Sequence, residues 1–137
     1  MKICVDTLPL LRVYRQEPNF EKHLIELRKI ERGENEGILP VSVISEIYIG
    51  AFKKLGEKRA ENAVEWLLSL PLEIVFINVS IAYEAGKLKS KYRCFLGDAL
   101  IAATALIENA DAIMTSDPEL KKISEVKVLD PEHMPQL

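Results

Sequence analysis

Residues 97–117 constrain the fold more than any other part of the chain. After an acid, Asp98, comes an apolar block over residues 99–107 in which only Thr104 is polar. Such a block predicts a helix that is buried nearly all round. The apolar run at residues 112–115 predicts a buried strand, and a second acid follows it. A helix and a strand this close in sequence must pack against each other.

The two acids of this stretch are expected to be neighbours in space. A helix that leads directly into a parallel strand runs antiparallel to it, so Asp98 at the helix start and Asp117 after the strand share one sheet edge. The alternative for each acid is that it only caps a helix. Asp98 follows Gly97 and Asp117 precedes Pro118, and both are positions at which Asp commonly caps a helix. A chemical role therefore depends on whether further acids reach the same edge.

The rest of the chain repeats the alternation of strand and helix. Strands are expected at residues 3–5, 38–41, 72–79, 112–115 and 126–129. Helices are expected at residues 8–14, 18–33, 43–54, 57–70, 81–92, 99–107 and 118–123, with Ser42 and Ser80 as caps. The strands are too apolar to have one face in water, which indicates an α/β sandwich with a parallel sheet. A length of 137 residues suits one domain, residues 1–137.

Two further acids are expected at the same edge of the sheet. Asp6 ends the first strand, and Glu46 lies in the first turn of the helix after the second strand. Right-handed crossovers bring these turns to one edge, where open α/β sheets bind ligands. Asp6, Glu46, Asp98 and Asp117 should therefore line one pocket. Four clustered carboxylates repel one another unless a cation binds them, and all-oxygen ligation favours Mg²⁺ or Mn²⁺ over zinc.

Charge and cysteine content exclude several other classes of function. The net charge of −3 gives no overall attraction to nucleic acid or to a membrane, so binding to either needs a local patch. Cys4 and Cys94 have no metal-binding spacing, and a reduced, cytoplasmic protein is the simplest interpretation. Asp6 interrupts the apolar run at the N-terminus, so no signal peptide is predicted, and no run is long enough to span a membrane.

Four segments carry polar residues in a fixed order along the chain. They are Asp6-Thr7, Glu46 with Gly50 four residues later, residues 98–105 and residues 115–117. Together they resemble the ordered motifs of PIN domains, most closely those of the small VapC-type toxins of toxin–antitoxin pairs. The resemblance spans essentially the whole chain and implies a three-layer α/β/α sandwich around a parallel sheet of about five strands. It also implies a Mg²⁺- or Mn²⁺-dependent ribonuclease, often a homodimer, that a small antitoxin protein holds inactive.

The resemblance assigns roles to individual residues. The catalytic and metal-binding tetrad would be Asp6, Glu46, Asp98 and Asp117, supported by Thr7, Thr115 and Glu119. Contact with RNA is expected from Lys53, Lys54, Lys87, Lys91 and Arg93, with Arg12 and Arg15 as weaker candidates. One position departs from the family, whose members commonly follow the first Asp-Thr with Ser or Asn. Here that residue is Leu8, so a polar group that would orient Asp6 or the scissile phosphate is missing.

Other functions remain open at this point. A PIN-like RNA- or protein-binding module with weakened or lost catalysis is the alternative that Leu8 favours. A receiver domain would need a pair of acids after the first strand and a lysine after the last one, and neither is present. A dehalogenase-like phosphatase would need a second acid two residues after Asp6, where Leu8 stands.

A partner surface is also expected beside the acids. Antitoxins of this type would bind as an amphipathic helix in an apolar groove, with a basic side chain directed at the carboxylates. We expect at least three of Leu11, Val13, Tyr14, Ile49 and Phe52 to form one exposed apolar patch beside Asp6. The alternative is that the monomer or a homodimer buries all of them. Gly50, costly inside a helix, is expected to admit another backbone or a ligand beside Glu46.

Overall fold

The computed structural model of the chain describes residues 1–133. Its strands are β1 (Lys2–Val5), β2 (Glu36–Pro40), β3 (Leu72–Val75), β4 (Ala112–Met114) and β5 (Val128–Leu129). Its α-helices are α1 (Thr7–Arg15), α2 (Phe20–Glu31), α3 (Ser42–Leu55), α4 (Glu57–Ser69), α5 (Val79–Tyr92), α6 (Leu96–Ile107) and α7 (Pro118–Lys121). A 3₁₀ turn, Pro131–His133, follows β5. The five strands form one wholly parallel sheet, which confirms the predicted α/β class.

The order of the strands determines where a ligand site can form. The order is β3-β2-β1-β4-β5, so the chain extends the sheet to one side of β1 and then to the other. The switch point lies between β1 and β4, and open α/β sheets bind ligands in the crevice at such a point. The ends of these two strands are tied together, because the Asp6 N–H donates to the Met114 carbonyl at 3.2 Å.

The core confirms that both faces of the sheet are covered. Consecutive residues of β1, Ile3, Cys4 and Val5, are all buried, which requires packing above and below the strand. Helix α6 contacts β1, β2 and β4 and packs against α5. Its residues 101–105 are all buried, as the apolar block predicts. The one polar side chain among them, Thr104, donates from Oγ1 to the Leu100 carbonyl at 2.7 Å, so its burial leaves no unpaired hydroxyl.

The prediction for the third strand is wrong beyond its first half. Strand β3 ends at Val75, and α5 begins at Val79 rather than after Ser80. The cap is Asn78, whose Oδ1 accepts a hydrogen bond from the Ile81 N–H at 2.9 Å. Apolar residues in this connection resembled a strand, yet Phe76 is 73% exposed. Local capping by Asn therefore prevailed over the apolar pattern.

Two other capping predictions also need correction. Helix α6 begins at Leu96 with Phe95 at its N-cap, so Asp98 lies in the first turn and is no cap. Helix α3 begins at Ser42 itself, and the Ser42 hydroxyl is buried without making the predicted capping bond. Helix capping therefore does not account for Asp98.

Helix length and the two cysteines bear on the membrane and redox predictions. Within residues 1–133, no helix is both long enough and apolar enough to cross a bilayer. Cys4 and Cys94 are both buried free thiols, and burial raises the pKa of each.

Candidate active site

The predicted acids do come together at the carboxyl-terminal edge of the sheet. Asp6, Glu46, Asp98 and Asp117 line one pocket of about 310 Å³. Four different elements supply them: the end of β1, helix α3, the first turn of α6 and the segment after β4. Residues far apart in sequence meet because parallel strands all end at this edge.

A threonine positions the most buried acid. Asp6 is only 3% exposed, and the Thr115 Oγ1 donates to its Oδ2 at 2.7 Å. The same hydroxyl accepts a hydrogen bond from the Asp117 N–H at 2.9 Å. Thr115 thus joins the ends of β1 and β4 and fixes the Asp6 carboxyl, as a supporting residue would.

Glu46 is held by a second threonine and by a close approach of α6. The Thr7 Oγ1 donates to Glu46 Oε1 at 2.9 Å. On the other side, a Cβ added at Gly97 would lie 2.8 Å from Glu46 Oε2, closer than a carbon and an oxygen can pack. The absence of a side chain at Gly97 therefore leaves room for the Glu46 carboxylate against the start of α6, next to Asp98. The sequence contains this signal, but its partner could not be identified without the structure.

Asp117 does cap a helix, as its sequence context predicted. Its Oδ1 accepts a hydrogen bond from the Glu119 N–H at 2.9 Å, with Pro118 in the first turn of α7. A carboxylate has two oxygens, so capping and ligand binding by Asp117 are compatible. Glu119 is not among the residues that line the pocket, and its carboxylate pairs with Lys122 at 2.8 Å.

Burial and mutual repulsion raise the pKa values of three acids in the pocket. The pKa of Asp6 is raised to about 7, chiefly by burial and also by the charges of Glu46 and Asp98, while hydrogen bonds from the Thr115 hydroxyl and the Thr7 backbone oppose the rise. Burial also raises the pKa of Asp98 to about 6, together with the charges of Asp117 and Glu46. The pKa of Glu46 is raised by burial and by Asp117, against the bond from Thr7. Within residues 1–133, no Lys, Arg or His forms an ion pair with any of the four.

The donor set fits a hard divalent cation, with one restriction. The four acids offer carboxylate oxygens to this pocket, and the raised pKa values of Asp6 and Asp98, which have no ion-pair partner among the described residues, are what a missing positive charge produces. In the described part of the chain, however, no three side chains of Asp, Glu, His or Cys are grouped closely enough to hold one ion together. Mg²⁺ commonly takes only one or two protein carboxylates and keeps several waters, so the arrangement suits Mg²⁺ or the similar Mn²⁺ held partly through water.

The structure divides the candidate RNA-contacting residues into two groups. None of the five favoured side chains lines the acidic pocket, whereas the two weaker candidates, Arg12 and Arg15, do. Several of the favoured ones are paired with acids elsewhere, as Lys91 is with Glu125 at 3.3 Å. Contact of either group with RNA stays a prediction.

The predicted apolar patch is only partly present. Ile49 and Phe52 are about half exposed, at 52% and 50%, and border a small apolar pocket with Tyr48. Of the other three candidates, Val13 and Tyr14 are half-buried and Leu11 is buried. The expectation of at least three exposed members is therefore wrong.

Gly50 explains why one of these side chains is buried. A Cβ at Gly50 would lie 2.5 Å from the Leu11 Cδ1 atom. The glycine thus admits a neighbouring side chain, rather than the backbone or ligand that was expected. Leu11 fills the space between α1 and α3.

Comparison with known proteins gives one family. The family model of the PIN domain matches residues 3–126. No curated protein is similar enough in sequence to match.

Solved structures share the fold at low sequence identity. A chain from the crystal structure of VapBC2 from Rickettsia felis, bound to a DNA fragment from their promoter, has a TM-score of 0.77 at 20% identity and covers 95% of this chain and 98% of that chain. A chain from the DNA-bound VapBC of Salmonella typhimurium has a TM-score of 0.75 at 20% identity, with 96% and 98% covered. VapC20 from Mycobacterium tuberculosis, a Sarcin-Ricin loop cleaving toxin, has a TM-score of 0.72 at 12% identity, with 88% and 93% covered.

Proposed function

The chain belongs to the PIN domain family, and we propose that it is a VapC-type endoribonuclease that hydrolyses RNA phosphodiester bonds with Mg²⁺ or Mn²⁺. The main support is the pocket in which Asp6, Glu46, Asp98 and Asp117 meet, where none of the four forms an ion pair among the described residues. The toxin from Mycobacterium tuberculosis with the same fold cleaves the Sarcin-Ricin loop, which favours a structured RNA as the substrate here.

Each side chain of the pocket has a definite task in this proposal. Asp6, Asp98 and Asp117 would hold the principal ion, directly or through water, and Glu46 would complete a second position or orient the attacking water. A bound divalent ion supplies activation of water and neutralises charge on the leaving oxygen. Thr115, through its 2.7 Å bond, keeps the Asp6 carboxyl turned toward the pocket. These carboxyls must be deprotonated to bind the ion, so below metal saturation activity should rise with pH as Asp98 and Asp6, whose pKa values burial raises, lose their protons.

A catalytically weakened RNA- or protein-binding module is the second candidate. Leu8 supports it, because this side chain lines the pocket next to Asp6 and Thr7 and has no hydrogen-bonding group. A phosphate or water at this point would lose one polar contact. Such a module would keep the fold and the binding surface without efficient hydrolysis.

A cleavage assay separates the two candidates. Wild-type protein is incubated with a structured RNA in Mn²⁺, in Mg²⁺ and in EDTA, and the products are resolved on a denaturing gel. Cleavage with either metal ion and none in EDTA is the expected result. Binding of the RNA without cleavage at any metal concentration would favour the weakened module.

We further propose an antitoxin partner. The structural neighbours include a toxin–antitoxin complex from Klebsiella pneumoniae as well as the VapBC complexes. Ile49 and Phe52 lie on α3, the helix that carries Glu46, and form an exposed apolar surface three and six residues after that acid. An amphipathic helix seated there could direct a basic side chain at the carboxylates.

We also propose that the protein is a cytoplasmic homodimer, and a different surface would serve the dimer. The start of α5 and the loop before it expose Phe76, Val79 and Tyr83 by 71% to 86%. Exposed apolar clusters of this kind mark protein–protein contacts. The two surfaces can thus be assigned to two partners.

Sedimentation of variants tests this assignment. We expect the chain alone to be a dimer, Val79→Ser with Tyr83→Ser to be a monomer, and Ile49→Ser with Phe52→Ser to remain a dimer. A monomeric Ile49→Ser, Phe52→Ser variant would instead make α3 the dimer contact and leave no free antitoxin surface there.

A further inference from the structure

One face of α1 brings two arginines into the pocket that the acids line. Leu8, Leu11, Arg12 and Arg15 all line the pocket, and their spacing of three and four residues places them on one helical face. With a rise of about 1.5 Å per residue, the two arginines lie roughly 4.5 Å apart along the axis, about 7 to 12 Å beyond the start of α1 beside Asp6. The helix therefore extends from the acids to two guanidinium groups.

The arginines are anchored without using all their donors. The Arg15 Nη2 donates to Glu17 Oε1 at 2.8 Å and its Nη1 to the Gly50 carbonyl at 3.3 Å. Arg12 donates from Nη1 to the Pro18 carbonyl at 3.3 Å. The Nε of each arginine is buried without a hydrogen-bond partner among the described residues. A guanidinium has five N–H donors, so each of the two retains capacity for a further anion.

Acids outside the tetrad fix these guanidinium groups. Glu132, in the 3₁₀ turn, lies 3.4 Å from the Arg12 Nε, and it is itself held by His23 at 2.9 Å and by Asn19 at 3.0 Å. Glu17, which holds Arg15, is also bound by Lys54 at 3.2 Å. The guanidinium groups are thus positioned before any ligand arrives, which lowers the entropy that binding would cost.

We propose that Arg12 and Arg15 bind the RNA backbone phosphates that flank the scissile bond; this inference rests on the ribonuclease function proposed above. A polyanion that enters a pocket lined by five acids, the tetrad and Glu17, needs positive charge inside it, and among the described residues Arg12 and Arg15 are the basic side chains that line it. Leu8, one turn closer to the acids than Arg12, has no donor, so the first phosphate contact beyond Asp6 falls to Arg12. Arginine suits this role because its planar fork matches phosphate oxygens in bidentate geometry.

A pair of charge-matched double variants tests the proposal. Both are made in the Asp98→Asn background and measured without divalent ions, so that the RNA is not cleaved and only monovalent counterions are exchanged. One carries Arg12→Gln and Arg15→Gln, and the other, the control, carries Lys22→Gln and Arg28→Gln at two exposed positions of α2. Each loses two positive charges, so an overall charge effect would be equal in both.

The salt dependence of binding to a single-stranded RNA gives the readout. Loss of two phosphate contacts should lower the slope of log K against log salt by about 1.4, at about 0.7 per contact, and should lower affinity at least tenfold at moderate salt. The control variant should keep the parent's slope. Equal slopes in the two double variants would overturn the inference. A parent that does not bind RNA at all would instead contradict the proposed function.

A conservative variant guards against a purely structural effect. Arg12→Lys with Arg15→Lys keeps both charges but replaces each fork by a single ammonium, so we expect the slope to be retained and the affinity to fall several-fold. Circular dichroism and the melting temperature establish that each variant is folded. If the Arg12→Gln, Arg15→Gln variant does not fold, the Arg12→Lys, Arg15→Lys variant decides. An affinity of that variant equal to the parent's would refute the proposal.

Discussion

Replacing Asp98 by Asn is expected to lower the rate of RNA cleavage by about 100-fold or more, the usual order of effect when a metal ligand or its support is disturbed. Asp98 lies half-buried in the first turn of α6 and does not cap that helix, so Asn fits the same space. The substitution removes one negative charge and one metal-binding oxygen from the pocket. The measurement is single-turnover cleavage of a structured RNA at saturating Mn²⁺.

A matched control makes this result specific. Glu61→Gln removes one negative charge from an exposed position on α4 and should leave the cleavage rate unchanged. A rate within a few-fold of wild type for Asp98→Asn would remove Asp98 from the catalytic set. The fold would be unaffected by that outcome, because it rests on the parallel sheet and the family match.

The meeting of the acids could be predicted because it follows from chain direction alone. Once β1 and β4 are recognised as parallel neighbours, Asp6 and Asp117 must end at the same edge, and an antiparallel helix brings Asp98 to it. No side-chain detail enters that argument. Secondary structure and the handedness of the crossovers are sufficient.

Contacts that depend on side-chain direction could not be predicted in this way. Gly97 precedes the helix predicted from the sequence, at residues 99–107, yet it lies inside α6 and makes room for Glu46. Arg12 and Arg15 face the pocket because α1 begins directly after Asp6, and a shift of the helix start by one residue would rotate both away by about 100°. Boundaries of helices are the least certain part of a sequence reading, so such placements need the structure.

Apolar runs were the second source of error. Phe76 and Val79 were assigned to a strand because consecutive apolar residues usually mark a buried one, but they are 73% and 86% exposed. Surface that binds a partner has the same composition as a core. Sequence alone does not separate the two, and the proposed dimer surface was for this reason taken for part of the sheet.

Asp6→Asn is expected to flatten the fall in stability that the metal-free protein shows between about pH 4 and pH 7. The folded-state pKa of Asp6 is about 7, against 3.8 for the unconstrained group, so between these values the folded state binds more protons than the unfolded state. Stability is then fully present below the unfolded pKa and is lost as pH rises through the folded one. The difference corresponds to about 4 kcal/mol for this almost fully buried group.

The measurement is urea unfolding in EDTA at pH 4.5 and at pH 7.5, for wild type and for Asp6→Asn. Other groups also titrate, and Asp130 has a lowered pKa, which gives the opposite dependence, so the difference between the two proteins is the quantity to compare. The Asn side chain can still accept the hydrogen bond from Thr115, which preserves the local structure. An identical change in stability with pH in both proteins would show that Asp6 does not titrate in this range.

Metal binding should reverse this loss in the wild type at the higher pH. Because ions bind the deprotonated carboxyls, Mg²⁺ or Mn²⁺ at a hundred times the dissociation constant should add about 2.7 kcal/mol at pH 7.5 and far less at pH 4.5. Asp98→Asn relieves repulsion while it removes a ligand, so it should raise the stability of the metal-free protein and weaken its response to metal. An unchanged metal response in Asp98→Asn would count against ligation by this residue. An absent response in the wild type would contradict a metal site in the pocket altogether.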